Sequence, residues 1–218
     1  LLARLEESFG REKRFTSNAA HELRTPLAEL RTMTELGTRW PEEFTEEHGN
    51  EMLEVILELE ALLGTLSLLA RAESEATPTR VPVDLAEIVS EQVDRVSPRV
   101  KERDLEIQLE LGEGEFFTDP VLFRAILQNL IDNAVDYVPE GGAIRVVANS
   151  EHLLVENEAP DLEEDDLPHL FTRFWRKSQS RSEKGHSGLG LSVVRAGVEH
   201  LGGTCSSELV DGMIRIEV

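Results

Sequence analysis

The 218 residues include one cysteine, one tyrosine and 5% aromatic residues, and only 22 Lys and Arg stand against 43 Asp and Glu. A lone cysteine, Cys205, excludes an internal disulfide, and its neighbours Gly203, Thr204 and Ser206 place it in a strand as a buried structural thiol. A cytosolic setting is permitted by this and not proved. The formal net charge of −21 argues against nucleic acid or an anionic membrane face as the direct partner, because both repel such a surface. No apolar run approaches the roughly 20 residues that span a bilayer. The longest candidate, Ala61 to Ala70, is interrupted by Gly64, Thr65 and Ser67. No signal peptide is recognisable, and the chain opens on Leu1 rather than methionine. We therefore expect a fragment of a longer protein, with room upstream for a membrane or sensory part. Internal repeats and low-complexity segments are also missing, and His48, His152, His169, His186 and His200 show no metal-ligand spacing.

What is present begins with a long helical pattern. Phe15, Ala19, Leu23, Leu27 and Leu30 recur at spacings of four, four, four and three, which marks one apolar face. His21 lies two residues before Leu23, roughly 200° around a helix from it. It should point into solvent, with Glu22 next to it and Thr25 one turn further on the same side. Pro26 removes the donor that would reach the carbonyl of Glu22, so a bend is expected beside the histidine. A second helical pattern runs from about Glu46 to Glu73. Leu53, Ile56, Leu59, Leu63, Leu66 and Leu69 share one face, with Val55, Leu57, Leu62 and Leu68 on others. One partner helix cannot cover that much apolar surface, whereas two hairpins packed as a four-helix bundle can, so the pattern implies a homodimer. Gly37 to Pro41 reads as the break between the helices.

Composition shifts at Ser74 to Pro82, which reads as a linker. The expected organisation is a helical hairpin over 1–73, a linker over 74–83 and a second domain over 84–218. In that domain Leu85, Ile88, Val89, Val93 and Val96 suit a helix, and Leu105 to Leu111 alternates as a half-buried strand. Asp119-Pro120 opens another helix. Ala143 to Asn149 and Leu153 to Asn157 read as strands, and Thr204 to Leu209 with Met213 to Val218 form a hairpin across Asp211-Gly212. The fold class is α+β: a helical hairpin, then a two-layer α/β sandwich with helices on one face of a sheet.

Along the helix after Pro120, Leu122, Ile126, Leu130 and Ala134 define the core face, and Asn129 and Asn133 form an adjacent row. Asparagines at that edge need hydrogen-bond partners, supplied either by neighbouring loops or by a bound polar ligand. Downstream, Gly188-Leu189-Gly190 leads directly into a helix whose exposed N–H groups attract an anion. Between the two lie about thirty residues, 158–187, with little regular pattern, which is long for a passive loop. Within 171–190, Arg173, Arg176, Lys177, Arg181 and Lys184 face one acid, Glu183. In so acidic a chain, that local reversal reads as an anion-binding segment, with a plain solvated loop as the alternative.

These strings resemble the sensor histidine kinases of two-component systems, over nearly the whole chain. His21-Glu22-Leu23-Arg24-Thr25-Pro26-Leu27 is similar to their phosphoacceptor box, and Asn129 to Ala134 with Tyr137 and Pro139 to the asparagine box of the ATPase module shared with gyrase, mismatch-repair and heat-shock chaperone proteins. Leu170 to Arg176 resembles the phenylalanine box, and Gly185 to Ser192 the second glycine box. The resemblance implies that His21 is phosphorylated from Mg-ATP, that Glu22 orients it, and that Thr25 holds a water for the reverse reaction. It implies that Asn133 holds Mg²⁺, that Asn129 faces the phosphates, and that Tyr137, Asn157, Phe171, Arg176, Gly188, Leu189 and Gly190 complete the ATP site under a lid at about 158–187, anchored by Phe171 and Phe174. His186 is expected near the phosphates. A homodimer, transfer to an aspartate of a response regulator, a cytoplasmic location for this part and a membrane-anchored whole protein are implied as well. Three departures stand out. Asn157, Ala159 and Asp161 replace an Asp followed by Gly-x-Gly, Asp136 stands where many members have lysine, and Asn129 replaces the glutamate of hydrolytic relatives. The alternatives are a kinase-impaired phosphatase or scaffold of the same family, and a plain ATPase of the wider superfamily.

Overall fold

The computed structural model describes residues 2–74, 76–112, 115–149, 151–177 and 187–218, in two compact units, one within Leu1–Leu66 and the other beginning at Ser67. The first unit holds α1 (Leu2–Arg39) and most of α2 (Glu46–Ala72). Helix α1 runs unbroken through Pro26 and also through Gly37, so the break falls later than the sequence suggested, at 40–45. Gly37 serves packing instead: a Cβ there would lie 2.8 Å from the Phe44 ring, which folds back onto the helix. Thr45 precedes α2 and its backbone N–H donates to His48 Nδ1 at 3.1 Å, giving that histidine a capping role. The apolar stripes are only partly covered within one chain. Leu27 is 55% exposed, and Leu36, Leu53, Ile56, Leu57 and Leu63 are also exposed.

The second unit is a two-layer α/β sandwich. Its elements are β1 (Val81–Asp84), α3 (Leu85–Glu102), β2 (Glu106–Leu111), β3 (Glu115–Thr118), α4 (Pro120–Tyr137), β4 (Ala143–Ala148), β5 (Leu153–Glu158), α5 (Gly190–His200), β6 (Ser206–Val210) and β7 (Met213–Glu217). Five strands form a sheet in the order β2-β4-β5-β7-β6, with β2 and β4 parallel and the other neighbours antiparallel. Alternation puts Ile144, Val146, Val155, Ile214 and Ile216 into the core with Val89, Val96, Ile126, Leu130, Ile131, Val194 and Val198 from the helices. The opposite face is a charge ladder across all five strands: Arg145 pairs with Glu110, and Arg215 with both Glu156 and Glu208. Such alternation of sign favours solvent on that face.

Two features correct the sequence reading. Val81–Asp84 lies at the end of the expected linker yet is a strand, paired antiparallel with β3 in a separate two-stranded sheet. The segment after β5 is not wholly irregular either, since Glu164–His169 forms a short 3-10 helix closed by a reciprocal Glu163–Asp166 capping box. Helices α3 and α4 run side by side, tied at four-residue steps. Glu91 pairs with Arg124, Arg95 and Arg99 with Asp132, Arg99 also with Asp136, and Arg103 donates to the terminal carbonyls of α4 at Val135, Asp136 and Val138.

Candidate functional site

The phosphoacceptor string occupies the middle of α1. His21 is solvent-exposed, as the spacing required, and Thr25 is exposed one turn along the same face. Glu22 is half-buried and makes no ion pair with His21 among the described residues, because adjacent helical positions diverge. Thr25 differs from its neighbours in one respect. Thr16, Thr32, Thr34 and Thr38 each donate their hydroxyl to the carbonyl four residues back, at 2.7–3.0 Å, whereas Thr25 makes no such bond among the described residues. Its hydroxyl is free to hold a water or a ligand. Beside this face lies an open groove of about 460 Å³ lined by Ala20, Leu23, Arg24, Leu27, Ala28 and Arg31.

In the second unit the site is built on α4 and α5. The N-cap of α4 is Asp119, whose Oδ1 accepts from the Val121 and Leu122 N–H groups at 3.0 and 3.2 Å. Burial pushes the Asp119 pKa up. The Leu122 N–H, the Arg71 guanidinium and the Val121 N–H outweigh it, and hold the carboxyl below its usual range. Ten residues on, Asn129 donates Nδ2 to the Ala125 carbonyl at 2.8 Å, which turns Oδ1 toward the start of α5. A Cβ on Gly190 would come within 2.9 Å of that oxygen. Asn133 sits half-buried one turn further, and Tyr137 ends the helix about half exposed. Gly197 lets α5 approach Ile126 closely, a Cβ there meeting it at 3.1 Å.

Gly188 has φ +68°, and a Cβ on it would lie 2.9 Å from both the Phe174 carbonyl carbon and the Trp175 oxygen. The Phe174 N–H donates to the Gly188 carbonyl at 2.8 Å, so the two ends of the intervening segment are clasped together. Leu189 is fully buried and precedes α5 without a side-chain cap, so among the described residues no side chain caps the first N–H groups of the helix. Arg176, two residues past Phe174, carries a buried Nη2 with no hydrogen-bond partner among the described residues. An orphaned guanidinium N–H and a helix start can donate to a phosphate chain, and an asparagine oxygen facing that start can ligate a cation bound to the chain. No cluster of three or more His, Cys, Asp or Glu that could hold a metal by itself occurs among the described residues.

The other expected residues are distributed as follows. Asn157 is 2% exposed on β5, on the helix-facing side, and donates Nδ2 to the Glu158 carbonyl at 2.8 Å. Ala159 is tied by its N–H to the Gly212 carbonyl at 2.9 Å. Phe171 is buried in the core with the Arg195 guanidinium 4.6 Å over its ring, so it anchors the segment that follows. Two of the basic residues read as anion-binding are engaged with carboxylates: Lys177 with Asp166 at 2.6 Å and Glu163 at 3.3 Å, and Arg173 with Glu73. Asp166 holds the Lys177 pKa above its usual value. Asp136, expected to cost a phosphate contact, is bound to Arg99 at 2.8 Å. Arg181, Glu183, Lys184, Gly185 and His186 lie outside the described residues. Cys205 is half-buried just before β6 rather than in it, and burial raises its thiol pKa. The α3–α4 ladder escaped the sequence reading, although Arg at 95, 99 and 103 against Asp at 132 and 136 carried the signal.

Two family models match the chain: the His Kinase A (phospho-acceptor) domain over residues 11–75 and the histidine kinase-, DNA gyrase B-, and HSP90-like ATPase over 118–215. Sensor histidine kinase CusS of Escherichia coli O157:H7 is 33% identical over 205 residues, covering 90% of this chain and 42% of that protein. The histidine-protein kinase/phosphatase MprB of Mycobacterium sp. (strain KMS) is 35% identical over 222 residues, covering 95% of this chain and 42% of that protein. The chain thus spans less than half the length of these curated relatives. Among solved structures, histidine kinase AdeS of Acinetobacter baumannii is similar with a TM-score of 0.71 at 25% identity, covering 91% of this chain and 96% of that one.

Proposed function

The chain belongs to the sensor histidine kinases of two-component systems, and from that premise we propose that it is a catalytic core that phosphorylates His21 from Mg-ATP. The observation that carries the nucleotide half of this reading is the orphaned Arg176 Nη2 next to the clasp that precedes the uncapped start of α5. Arg176 and the Gly190-side N–H groups take the phosphates, with Asn129 beside them and Tyr137, Asn157, Phe171, Gly188 and Leu189 shaping the site. Asn133 would hold Mg²⁺, which supplies charge neutralisation on the phosphate chain when bound. A ring nitrogen of His21 attacks the γ-phosphorus, the bond to the β-phosphate oxygen breaks, and ADP leaves. Glu22 is assigned to accept from the N–H of the other ring nitrogen. The phosphoryl group then passes to an aspartate of a response regulator.

The exposed Leu27, Leu36, Leu53, Ile56, Leu57 and Leu63 support a homodimer in which two hairpins form a four-helix bundle. The proposed domains are 1–73 for dimerisation and phosphoacceptance and 84–218 for nucleotide binding, with β1 joined to the latter. We place the reaction in the cytoplasm and any membrane anchor outside these residues. No helix among those described is long and apolar enough to cross a membrane.

The test is incubation with Mg²⁺ and γ-labelled ATP, with His21→Ala in parallel. Acid-labile, alkali-stable label on the wild type alone is expected. A second reading, a kinase-impaired phosphatase, is favoured by the free hydroxyl of Thr25 together with the neutral Asn157. It replaces the first if no label forms while a phosphorylated regulator is still dephosphorylated.

A further inference from the structure

Although α2 begins in the first unit, its last turn is buried in the second, with Leu69 1% and Ala72 6% exposed. From that turn the Arg71 guanidinium donates to Asp119 Oδ2 at 2.8 Å, and Asp119, itself 1% exposed, is the N-cap of α4. The carboxylate divides its work. One oxygen caps α4, and the other accepts from Arg71 and, at 3.3 Å, from the Thr79 N–H of the stretch before β1. Arg71 is its one ion-pair partner among the described residues. Two residues beyond Arg71, Glu73 pairs with Arg173, which stands three residues before Arg176. The end of α2 is therefore attached both to the helix bearing Asn129 and Asn133 and to the segment leading into Arg176.

Resting on the nucleotide reading above, we propose that Arg71 is a positioning residue of the nucleotide site. By holding Asp119 it fixes where α4 begins and so where Asn129 and Asn133 stand on the same rigid helix. Packed helices shift as units, so a displacement at the N-cap is carried along α4 rather than absorbed locally. The backbone bonds of the cap do not need Arg71. Its loss leaves the two cap N–H bonds in place, cuts the tie to α2 and takes the ion-pair partner from Asp119. The Leu69–Glu73 turn thereby becomes a handle through which a change in α2 alters nucleotide affinity, and by linkage the nucleotide tightens the same clasp.

The experiment uses the whole chain with Arg71→Ala, Arg71→Lys, and Glu73→Arg and Arg173→Glu singly and together. Three quantities are read: the Kd of a non-hydrolysable ATP analogue with Mg²⁺, hydrogen exchange of residues 69–74 with and without it, and Tm. Arg71→Ala is expected to raise Kd roughly fivefold or more, with Arg71→Lys retaining most of the affinity. The analogue should slow exchange of the turn in the wild type and not in Arg71→Ala, and the double charge reversal should recover affinity lost by each single one. An unchanged Kd in Arg71→Ala overturns the proposal. So does a loss that tracks Tm and is not rescued by lysine, which marks a merely structural residue. If the wild type itself binds no analogue, the nucleotide reading fails, and this inference with it.

Discussion

Asn129 Oδ1 lies 2.9 Å from the point a Cβ on Gly190 would occupy, so the bare backbone at the start of α5 is what admits the asparagine. The obstructing atom is the end of a side chain rather than backbone, and it can swing away. Gly190→Ala is therefore expected to fold normally, with stability within about 1 kcal/mol of the wild type, while Asn129 is turned out of the site. Titration with a Mg-ATP analogue should show affinity lowered by roughly tenfold or more, which is about 1.4 kcal/mol. Unaltered affinity would mean that Asn129 does not face the phosphates.

Gly188 presents the opposite case. Its φ of +68° and the Phe174 and Trp175 backbone atoms 2.9 Å from a Cβ leave nothing flexible to give way. Gly188→Ala should cost about 1–3 kcal/mol, measured by urea unfolding, and should open the clasp before Arg176. A stability unchanged from the wild type would show that the clasp relaxes freely.

The contrast between these glycines shows what the sequence could and could not supply. The Gly-Leu-Gly string placed a helix start, because the backbone freedom it signals is a local property. Which glycine faces a side chain and which faces backbone depends on Asn129 and Trp175, distant in sequence from one or the other. Helices α4 and α5 and the four antiparallel strands were legible from periods of 3.6 and 2. The β1–β3 pair was not: Val81–Asp84 is four residues long, contains a proline, and pairs with a strand beyond an intervening helix and another strand. Gly37 was read as a breaker because its use, space for the Phe44 ring, is tertiary. The basic run from Arg173 looked like a uniform anion trap, yet Asp166, Glu163 and Glu73 occupy two of its members.

Thr25 is exposed and, unlike Thr16, Thr32, Thr34 and Thr38, lacks a hydroxyl bond to the preceding turn. Thr25→Ala should change stability by less than about 0.5 kcal/mol and leave labelling of His21 intact. Dephosphorylation of a phosphorylated regulator, which needs a positioned water, should fall by roughly tenfold or more. Equal loss of both activities would assign Thr25 to regulator docking instead.

Restoring the family's aspartate at Asn157 carries a cost that the sequence did not reveal. Asn157 is 2% exposed, and its Nδ2 donates to the Glu158 carbonyl at 2.8 Å. An aspartate would turn an oxygen toward that carbonyl and leave a buried acceptor unsatisfied, at about 1–3 kcal/mol. The family resemblance has this position accept from the adenine amino group. Asn157→Asp is expected to lower Tm without nucleotide, and to widen the upward Tm shift on adding Mg-ATP because a charged acceptor holds that amino group more strongly. A smaller shift than the wild type shows would place the base elsewhere.

Acid should act on this fold through Asp119. Its carboxyl is 1% exposed, and hydrogen bonds from Leu122, Arg71 and Val121 outweigh the burial that opposes ionisation, leaving its pKa depressed. A depressed folded pKa contributes stability that is present above the unfolded value of about 3.9 and disappears as pH falls through the folded value. Denaturant unfolding at neutral pH and at steps below about pH 4 should therefore show wild-type stability falling with acid. Asp119→Asn keeps an N-cap oxygen but cannot be neutralised. It should start lower at neutral pH, where Arg71 has lost its counter-charge, and decline less steeply through the acid range. Parallel acid profiles for the two proteins would locate the acid sensitivity in other carboxylates, such as Glu110 or Asp166, whose arginine and lysine partners also depress them.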